Sequence, residues 1–422
     1  MINLNIAILG ATGTTGRYIV DELLASEHAV HVTALVRASS ADKPEVQDLK
    51  ARGVAIQLID LQGSIEDMTK ALEGQEVVIA ILPIAATIDQ IPLATAAKKA
   101  GVKRFIPTMF APVAPPKGLS TLRDTKEDVL NHIRRLQLPY TIIDVGWWYQ
   151  LTLPKLPSGR IDKAVSGLGE RIHGDGNVLS AFTHNRDVGR YVVRATLDPR
   201  TLNKFVFIYS EMLTRVDIGW IGPDLPSDPI LDISTRLNDP SRAVPPHLLD
   251  VLPLKARVED NCRNIDWRLG SAGAGGGRGD DGLGGRGGGC MGCDAWFLRR
   301  LKRIQWILDR TGPSIHPVST LMLTMNQVYD QLEQLSGETL PRNHTSEDEL
   351  LANLAQLKDV GIRDDNFLQK AAYEYQYSWG VRGDNNIHNA EYLGYMLGKD
   401  LYPDLKGTSM DEYIQELLDE SS

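Results

Sequence analysis

A glycine-rich turn near the start of the chain restricts the possible folds more than any other feature. Gly10, Gly13 and Gly16 follow an apolar run at residues 5–9, and apolar residues at helical spacing come directly after them. In a strand–turn–helix context, the first glycine permits the tight turn and the second lets a pyrophosphate approach the backbone. The third lets helix and strand pack closely, and the helix N-terminus presents N–H groups to the phosphates. The residues predicted to contact a dinucleotide are those of the turn: Gly10, Thr12, Gly13, Thr14, Thr15 and Gly16.

Short apolar runs alternate with helical patterns as far as residue 145. The predicted strands are residues 5–9, 30–36, 54–60, 77–82, 104–107 and 139–145, and the predicted helices are 17–26, 45–51, 64–72, 87–100 and 126–136. This alternation predicts an α/β fold with a doubly wound parallel sheet, an NAD(P)-binding Rossmann domain at residues 1–150. Residues 151–214 and 325–422, with helices at 325–335, 346–357 and 410–418, are predicted to form a smaller C-terminal α/β substrate lobe.

A block at residues 215–324 interrupts this organisation. Within it, residues 270–292 hold thirteen glycines in twenty-three positions, so they bury too little surface to offset the entropy of ordering. The tripeptide Met-Leu-Thr occurs at 212–214 and again at 322–324, and removal of 215–324 leaves 312 of the 422 residues. The block is predicted to be a disordered glycine-rich insertion or a retained intron; a genuine lineage-specific insertion is the alternative.

Composition excludes several other classes of protein. With 42% hydrophobic residues and a net charge of −9, the chain is typical of globular proteins and lacks the cationic surface that nucleic-acid binding needs. Without a long apolar run or a secretory signal, we expect a cytoplasmic protein that does not enter a membrane. Three cysteines cannot build a disulfide framework, and the lone Cys290–Cys293 pair has no redox or zinc context. The histidines lack ligand spacing, so no metal is predicted.

The residue after the second predicted strand indicates the form of the nucleotide. That position usually carries an acidic residue for the ribose hydroxyl of NAD, but here it is Arg37. A guanidinium group matches a 2′-phosphate, and Lys43 follows as a second candidate contact. NADPH is therefore the predicted cofactor; the alternative for Arg37 is an ordinary solvated arginine.

Further motifs resemble one family. They are Ala-Gly-Val-Lys-Arg-Phe-Ile-Pro at 100–107, Thr-Lys at 125–126, Leu-Pro-Tyr-Thr-Ile-Ile at 138–143, and C-terminal segments at 198–204, 401–404 and 410–413. With the glycine turn, they resemble the NmrA-like group of atypical short-chain dehydrogenases, and within it the isoflavone reductase and phenylcoumaran benzylic ether reductase branch. The resemblance omits the block at 215–324. It implies that Lys126 is the catalytic acid or base, the alternative being a solvent-facing lysine on an amphipathic helix.

The resemblance is imperfect beside the candidate substrate. The plant reductases carry Ser-Glu-Phe-Gly after the fifth strand, whereas this chain has Thr-Met-Phe-Ala at 108–111 and lacks the acidic residue. The resemblance implies that Thr108 and Phe110 contact the cofactor and that Met109 contacts the substrate. Because the acidic residue is absent, the substrate is not expected to bind as it does in the plant reductases.

Aromatic residues supply a second candidate substrate surface. Trp147, Trp148 and Tyr149 follow the sixth predicted strand, where ligands gather in doubly wound folds, and could form an aromatic wall. Core packing is the alternative, and at least one of the two tryptophans is expected to pack in that way. Two Tyr-x-x-x-Lys matches at 395–399 and 402–406 lie far from the fifth-strand region where other short-chain dehydrogenases carry this pair, and are interpreted as chance.

These observations predict an NADPH-dependent reductase of an aromatic or polyketide-like small molecule. Hydride would pass to an activated C=C bond, a quinone-type ring or a benzylic ether. No nucleic-acid or membrane partner is expected, and the protein is predicted to be a monomer or a homodimer. The alternative is a redox-sensing regulator that binds NADP without turnover, because the fold and the glycine turn serve both functions.

Overall fold

The candidate site rests on a parallel sheet formed by the first half of the chain. The computed structural model describes residues 3–210 and 322–421. Its strands are β1 (Asn3–Leu9), β2 (Ala29–Val36), β3 (Ala55–Leu58), β4 (Val77–Ala80), β5 (Arg104–Ile106), β6 (Thr141–Asp144), β7 (Trp147–Trp148), β8 (Ile172–His173), β9 (Phe182–Thr183), β10 (Lys204–Phe207), β11 (His344–Thr345) and β12 (Met396–Leu397). The first five form one parallel sheet in the order β3-β2-β1-β4-β5.

Three later strands continue this sheet. They form a parallel group in the order β12-β10-β6, and Phe105 of β5 makes a parallel bridge with Tyr140, which directly precedes β6. The resulting order β3-β2-β1-β4-β5-β6 is that of a doubly wound dinucleotide-binding fold. Because these strands are parallel, their carboxyl ends share one edge of the sheet, and this edge carries the candidate site.

Helices connect the strands and complete the C-terminal lobe. They are α1 (Thr14–Leu24), α2 (Pro44–Ala51), α3 (Ile65–Ala71), α4 (Gln90–Lys99), α5 (Thr121–Arg135), α6 (Asn185–Leu197), α7 (Met325–Ser336), α8 (Glu347–Gln356), α9 (Phe367–Tyr377), α10 (Ile387–Tyr392), α11 (Gly398–Leu401) and α12 (Met410–Glu420). A π-helical turn, Ser378–Arg382, continues directly from α9. Full capping boxes at Thr324 and Ser409 satisfy backbone N–H groups and fix the starts of α7 and α12.

Alternate residues of β1 enter hydrophobic clusters on opposite faces of the sheet. Ile6 and Ile8 belong to a cluster that also contains apolar residues of α1 and α6. Ala7 and Leu9 belong to another cluster, with apolar residues of α3, α4 and α5. A strand covered on both faces by helices is characteristic of a doubly wound parallel sheet, and the predicted fold class is confirmed.

A third hydrophobic cluster joins the segments on the two sides of the block at 215–324. It combines Tyr149 and Phe182 with Leu323, Tyr329 and apolar residues of α9 and α12. Residues 215–321 of the predicted disordered insertion lie outside the described residues. Its last three residues belong to the fold, because Leu323 pairs with Ser180 and Thr324 caps α7.

Two predicted helices begin earlier in the structure than expected. The first starts at Thr14 rather than residue 17, so the glycine turn leads directly into it. The fifth starts at Thr121 rather than residue 126, because the Ser120 side chain accepts a hydrogen bond from the Arg123 N–H and caps it. This earlier start places Arg123 and Lys126 on the same helix, three residues apart.

Candidate active site

The glycine turn has the backbone geometry that its sequence predicts. Gly10 has a φ of +86°, and a Cβ atom there would lie 2.0 Å from the carbonyl oxygen of Ile81. A Cβ atom at Gly16 would lie 2.0 Å from the carbonyl oxygen of Gly10. Both clashes are with backbone atoms that cannot move aside cheaply, so only glycine fits either position.

The turn leaves the amino end of α1 open to a ligand. Gly13 is the N-cap residue, and among the described residues no side chain caps this helix start. Gly13 and Thr14 are exposed, while Thr12 and Thr15 are half-buried. Uncapped N–H groups at a helix start, together with the positive end of the helix dipole, suit a phosphate group. The turn therefore fits the pyrophosphate of a dinucleotide.

Arg37 lies at the same sheet edge as the glycine turn. Leu9 of β1 pairs in register with Leu35 of β2, so Gly10 and Arg37 both lie just beyond the carboxyl ends of adjacent strands. Arg37 and Lys43 are exposed, and neither side chain forms a hydrogen bond or ion pair within the described ranges 3–210 and 322–421. Two exposed cations that follow β2, at the same sheet edge as the glycine turn, are suited to contact a 2′-phosphate.

Thr108 joins the ends of β4 and β5. Its hydroxyl donates to the Ala80 carbonyl (2.8 Å) and accepts from the Leu82 N–H (3.0 Å), and its own N–H donates to Gln90 Oε1 (2.6 Å). Phe110 is buried with a φ of +25°, and its N–H donates to the Ile143 carbonyl. Thr108 and Phe110, two of the predicted cofactor contacts, thus form hydrogen bonds that connect strand ends in the structure.

Lys126 is buried at the carboxyl edge of the sheet. Its side chain is 4% exposed, and its ammonium group donates to the backbone carbonyl of Met109, just after β5. Burial lowers the pKa of the Lys126 amine to about 8; the Asp144 carboxylate opposes that effect, and the Arg123 guanidinium adds to it. The Met109 side chain packs in a small apolar cluster, so its carbonyl rather than its thioether meets Lys126. A lysine with this pKa can donate or accept a proton near neutral pH.

A buried ionic network adjoins Lys126, and the sequence did not predict it. The Arg123 guanidinium donates to Asp144 Oδ2 (2.7 Å), to Glu127 Oε1 (3.0 Å) and to the Tyr395 hydroxyl (2.9 Å). The Tyr395 hydroxyl in turn donates to Asp144 Oδ2. All four residues are buried, with at most 7% of their surface exposed. The available signals were an acidic residue at the end of the sixth predicted strand and an arginine three positions before the candidate lysine.

The three candidate aromatic residues occupy different environments. Trp147 stacks on Trp379, with ring centroids 5.3 Å apart, and is 6% exposed. Tyr149 is fully buried and donates to the Thr408 carbonyl (3.1 Å). Trp148 is half-buried and packs at the margin of the cluster that includes Phe110. Placement in the core favours structural packing for Trp147 and Tyr149, and leaves Trp148 as the candidate with accessible surface.

The two Tyr-x-x-x-Lys matches do not form tyrosine–lysine pairs. Tyr395 joins the ionic network, whereas Lys399 donates to the Ser210 carbonyl (2.9 Å). Tyr402 donates to Asp198 (3.0 Å). The first tyrosine therefore lies near the candidate lysine for a reason that the motif does not express.

Metal-binding clusters and membrane-spanning helices are both absent from residues 3–210 and 322–421. These residues contain no group of three or more His, Cys, Asp or Glu side chains that could hold a metal ion. None of the helices in these ranges is long and apolar enough to cross a membrane.

Comparison with known sequences decides the family. Residues 3–219 match the model of the NmrA-like family. The chain belongs to the NmrA-like family. Asnovolin J 5′,6′-dehydrogenase of Aspergillus novofumigatus is 32% identical over 419 residues, an alignment that covers 99% of this chain and 96% of the relative. A phenylcoumaran benzylic ether reductase of Ginkgo biloba is 32% identical over 223 residues, covering 48% of this chain and 68% of the relative.

Solved structures of the same branch share the fold. Leucoanthocyanidin reductase of Vitis vinifera, in a binary complex with NADPH, matches with a TM-score of 0.60 and 18% identity, covering 98% of this chain and 99% of that one. A second solved structure comes from a set that comprises pinoresinol-lariciresinol and phenylcoumaran benzylic ether reductases. It matches with a TM-score of 0.61 and 18% identity, and the alignment covers 99% of this chain and 100% of that one. The predicted resemblance to this family and branch is confirmed.

Proposed function

We propose that this protein is an NADPH-dependent oxidoreductase that acts on a small aromatic or polyketide-like molecule. The observation that carries the proposal is Lys126, a buried amine at the carboxyl edge of the sheet with a pKa near 8. A charged side chain is expensive to bury, so its retention at the edge where doubly wound folds bind ligands favours a chemical role.

The chain's own residues suit the binding of NADPH in a defined orientation. The glycine turn would hold the pyrophosphate at the amino end of α1, and Arg37 and Lys43 would contact the 2′-phosphate. When bound, NADPH supplies the hydride. Lys126 would then hold or donate the proton that balances this transfer, at an oxygen or carbon of the substrate next to the reacting carbon.

The relatives suggest the reaction class. One relative is named asnovolin J 5′,6′-dehydrogenase, another an isoflavone reductase-like protein, and a third a phenylcoumaran benzylic ether reductase. Reduction of an activated C=C bond adds a hydride to one carbon and a proton to the other, and dehydrogenation removes both. We propose hydride transfer at such a C=C bond, in either direction, with a quinone-type ring or a benzylic ether as further substrates to test.

The proposal is tested by comparing Lys126→Met with Lys117→Met. Lys117 is an exposed lysine just before α5 that pairs with Asp128, so it is a matched control for loss of one positive charge. With NADPH and a panel of enones, quinones and benzylic ethers, we expect Lys126→Met to lower kcat about a hundredfold or more and to keep NADPH affinity. Lys117→Met should match the wild type. Full activity in Lys126→Met would contradict the proposed role of the lysine.

Cofactor preference is tested at Arg37. We expect Arg37→Ala to weaken NADPH binding about tenfold or more, because a charge-assisted contact to phosphate is lost, and to leave NADH binding unchanged. Arg52→Ala removes another exposed arginine, one that pairs with Asp21, and should change neither. Equal affinities for NADPH and NADH in the wild type would contradict the assignment of Arg37. NADP binding without turnover on the whole panel would support a redox-sensing regulator instead.

A further inference from the structure

Asp144 is a buried carboxylate with an incomplete set of hydrogen bonds. It is fully buried at the end of β6. Its Oδ2 atom accepts from Arg123 and from the Tyr395 hydroxyl, while its Oδ1 atom has no hydrogen-bond partner among the described residues. A buried carboxylate oxygen without a donor lowers the stability of the fold. Its retention here therefore favours a functional role for the charge of Asp144.

The position of Asp144 connects it to Lys126. Lys126 lies three residues after Arg123 on α5, so both side chains project from the same side of the helix toward the carboxyl end of β6. The Lys126 ammonium donates to the Met109 carbonyl, and the N–H of the next residue, Phe110, donates to the Ile143 carbonyl. The amine therefore lies beside the carboxyl end of β6, where Asp144 is the last residue. The Asp144 carboxylate favours the ammonium form. The Arg123 guanidinium disfavours that form.

We propose that Asp144 is a positioning residue that keeps Lys126 protonated at the reacting centre, and that Arg123 and Tyr395 hold Asp144 in place. This inference rests on the proposed function of Lys126. Arg123 fixes one carboxylate oxygen by an ion pair, and Tyr395 donates to the same atom. Burial and the Asp144 carboxylate raise the pKa of Tyr395, so its hydroxyl remains a donor over the working pH range.

The groups that face this centre come from several elements. On α5 they are Arg123 and Glu127; on β6 it is Asp144; from the C-terminal lobe they are Tyr375 of α9 and Tyr395. Burial raises the pKa of Glu127, and the nearby Arg123 opposes that rise. The Lys126 ammonium form is thus favoured by the Asp144 carboxylate and disfavoured by the Arg123 guanidinium.

The test measures Lys126 itself and the reaction separately. The Lys126 amine is titrated by NMR in protein labelled with 13C at lysine Cε, the signal being assigned with Lys126→Met, and kcat/KM is measured against pH. In Asp144→Asn the pKa of Lys126 should fall by about one unit or more, and the alkaline limb of the rate profile should move down with it. An unshifted Lys126 titration in folded Asp144→Asn would overturn the inference.

A second variant covers the case in which Asp144→Asn does not fold, since it leaves Arg123 with one anionic partner fewer. Tyr395→Phe keeps the Arg123–Asp144 ion pair and removes the hydroxyl that donates to Oδ2 and accepts from Arg123. The charge of Asp144 is then less compensated, so the Lys126 titration and the rate limb should move to higher pH, by less than one unit. The matched control is Tyr402→Phe, which removes a tyrosine hydroxyl bonded to Asp198 and should move neither.

The outcomes separate this inference from the proposed function. If the Lys126 amine titrates in Tyr395→Phe and in Tyr402→Phe as it does in the wild type, the hydrogen bond from Tyr395 to Asp144 has no effect on Lys126. The inference then fails. If the titration shifts as expected while Lys126→Met keeps full activity, the electrostatic coupling stands and the proposed role of Lys126 fails.

Discussion

The Met-Leu-Thr repeat allows a deletion that removes none of the described residues. Removal of residues 212–321 yields the same sequence as removal of 215–324, because the two copies are identical. In the first form, the shortened chain keeps residues 3–210 and 322–421, with Glu211 as the single connecting residue. We propose that this chain of 312 residues folds and binds NADPH as the full chain does.

The distance to be bridged follows from hydrogen bonds on one extended segment. The Ser210 N–H donates to the Phe182 carbonyl (2.9 Å), and the Leu323 N–H donates to the Ser180 carbonyl (3.1 Å). The carbonyls of residues 180 and 182 project to the same side of an extended chain and lie about 7 Å apart. From Ser210 to Leu323 the shortened chain has three residue steps, which span up to about 10 Å. The connection therefore closes without moving either anchor.

The assay compares the full and shortened chains by thermal unfolding, by NADPH titration and by turnover on the substrate panel. We expect cooperative unfolding and equal NADPH affinity in both chains. We expect higher turnover in the shortened one, because the block enters the sequence between β10 and α7, next to the segments predicted to cover the substrate. Loss of cooperative unfolding or of NADPH binding on deletion would refute the reasoning. Equal turnover would refute only the expectation that the block impairs catalysis.

Three further predictions concern the site and the core. Gly16→Ala should abolish NADPH binding and destabilise the fold by about 2 kcal/mol, because the new Cβ would lie 2.0 Å from a carbonyl oxygen. The control is Gly53→Ala, whose Cβ would meet nothing within 4 Å, and NADPH titration should show that it retains binding. Trp147→Ala should cost about 3 kcal/mol or more by denaturant unfolding, and Trp148→Ala clearly less. Lys126→Met should raise stability at pH 7. Folded lysine binds fewer protons than unfolded lysine between pH 8 and 10.5, so the wild type should gain stability across that window and the variant should not.

The part of the fold predicted best was the part with strong local signals. The strands of the main sheet and the glycine turn are buried runs bounded by breakers, and the structure has them close to the predicted residues. α6 (Asn185–Leu197) and α9 (Phe367–Tyr377) were not predicted, although each buries one face. In α9, Lys370 and Glu374 lie at buried positions and interrupt the apolar pattern, so this helix depends on tertiary packing. α6 carries apolar residues at helical spacing, at Val188, Tyr191, Val192 and Ala195, so its periodicity was a signal that the prediction missed.

The candidate site was predicted one residue at a time, and its network was missed. Lys126 was singled out by resemblance alone; its burial depends on the earlier start of α5 at the Ser120 cap. Arg123 and Tyr395 lie 272 positions apart in the sequence, and no local pattern relates them. The match at Tyr395 and Lys399 was interpreted as chance because it lies far from the fifth-strand region of the sequence. In the structure, however, the Tyr395 hydroxyl accepts a hydrogen bond from Arg123 of α5.

This long-range contact also bears on how the block can be tolerated. Arg123 with Tyr395, and the Val113 N–H with Asn385 Oδ1 (3.1 Å), both join the first half of the chain to residues beyond 321. The ionic network beside Lys126 is therefore complete only when the C-terminal segment has docked on the sheet. The glycine turn and Arg37, by contrast, lie at the ends of β1 and β2 and beside Ile81 after β4, all within residues 3–81. A chain whose C-terminal segment fails to dock should thus lose turnover before it loses nucleotide binding, and this order of loss separates a defect in the lobe from a defect in the Rossmann domain.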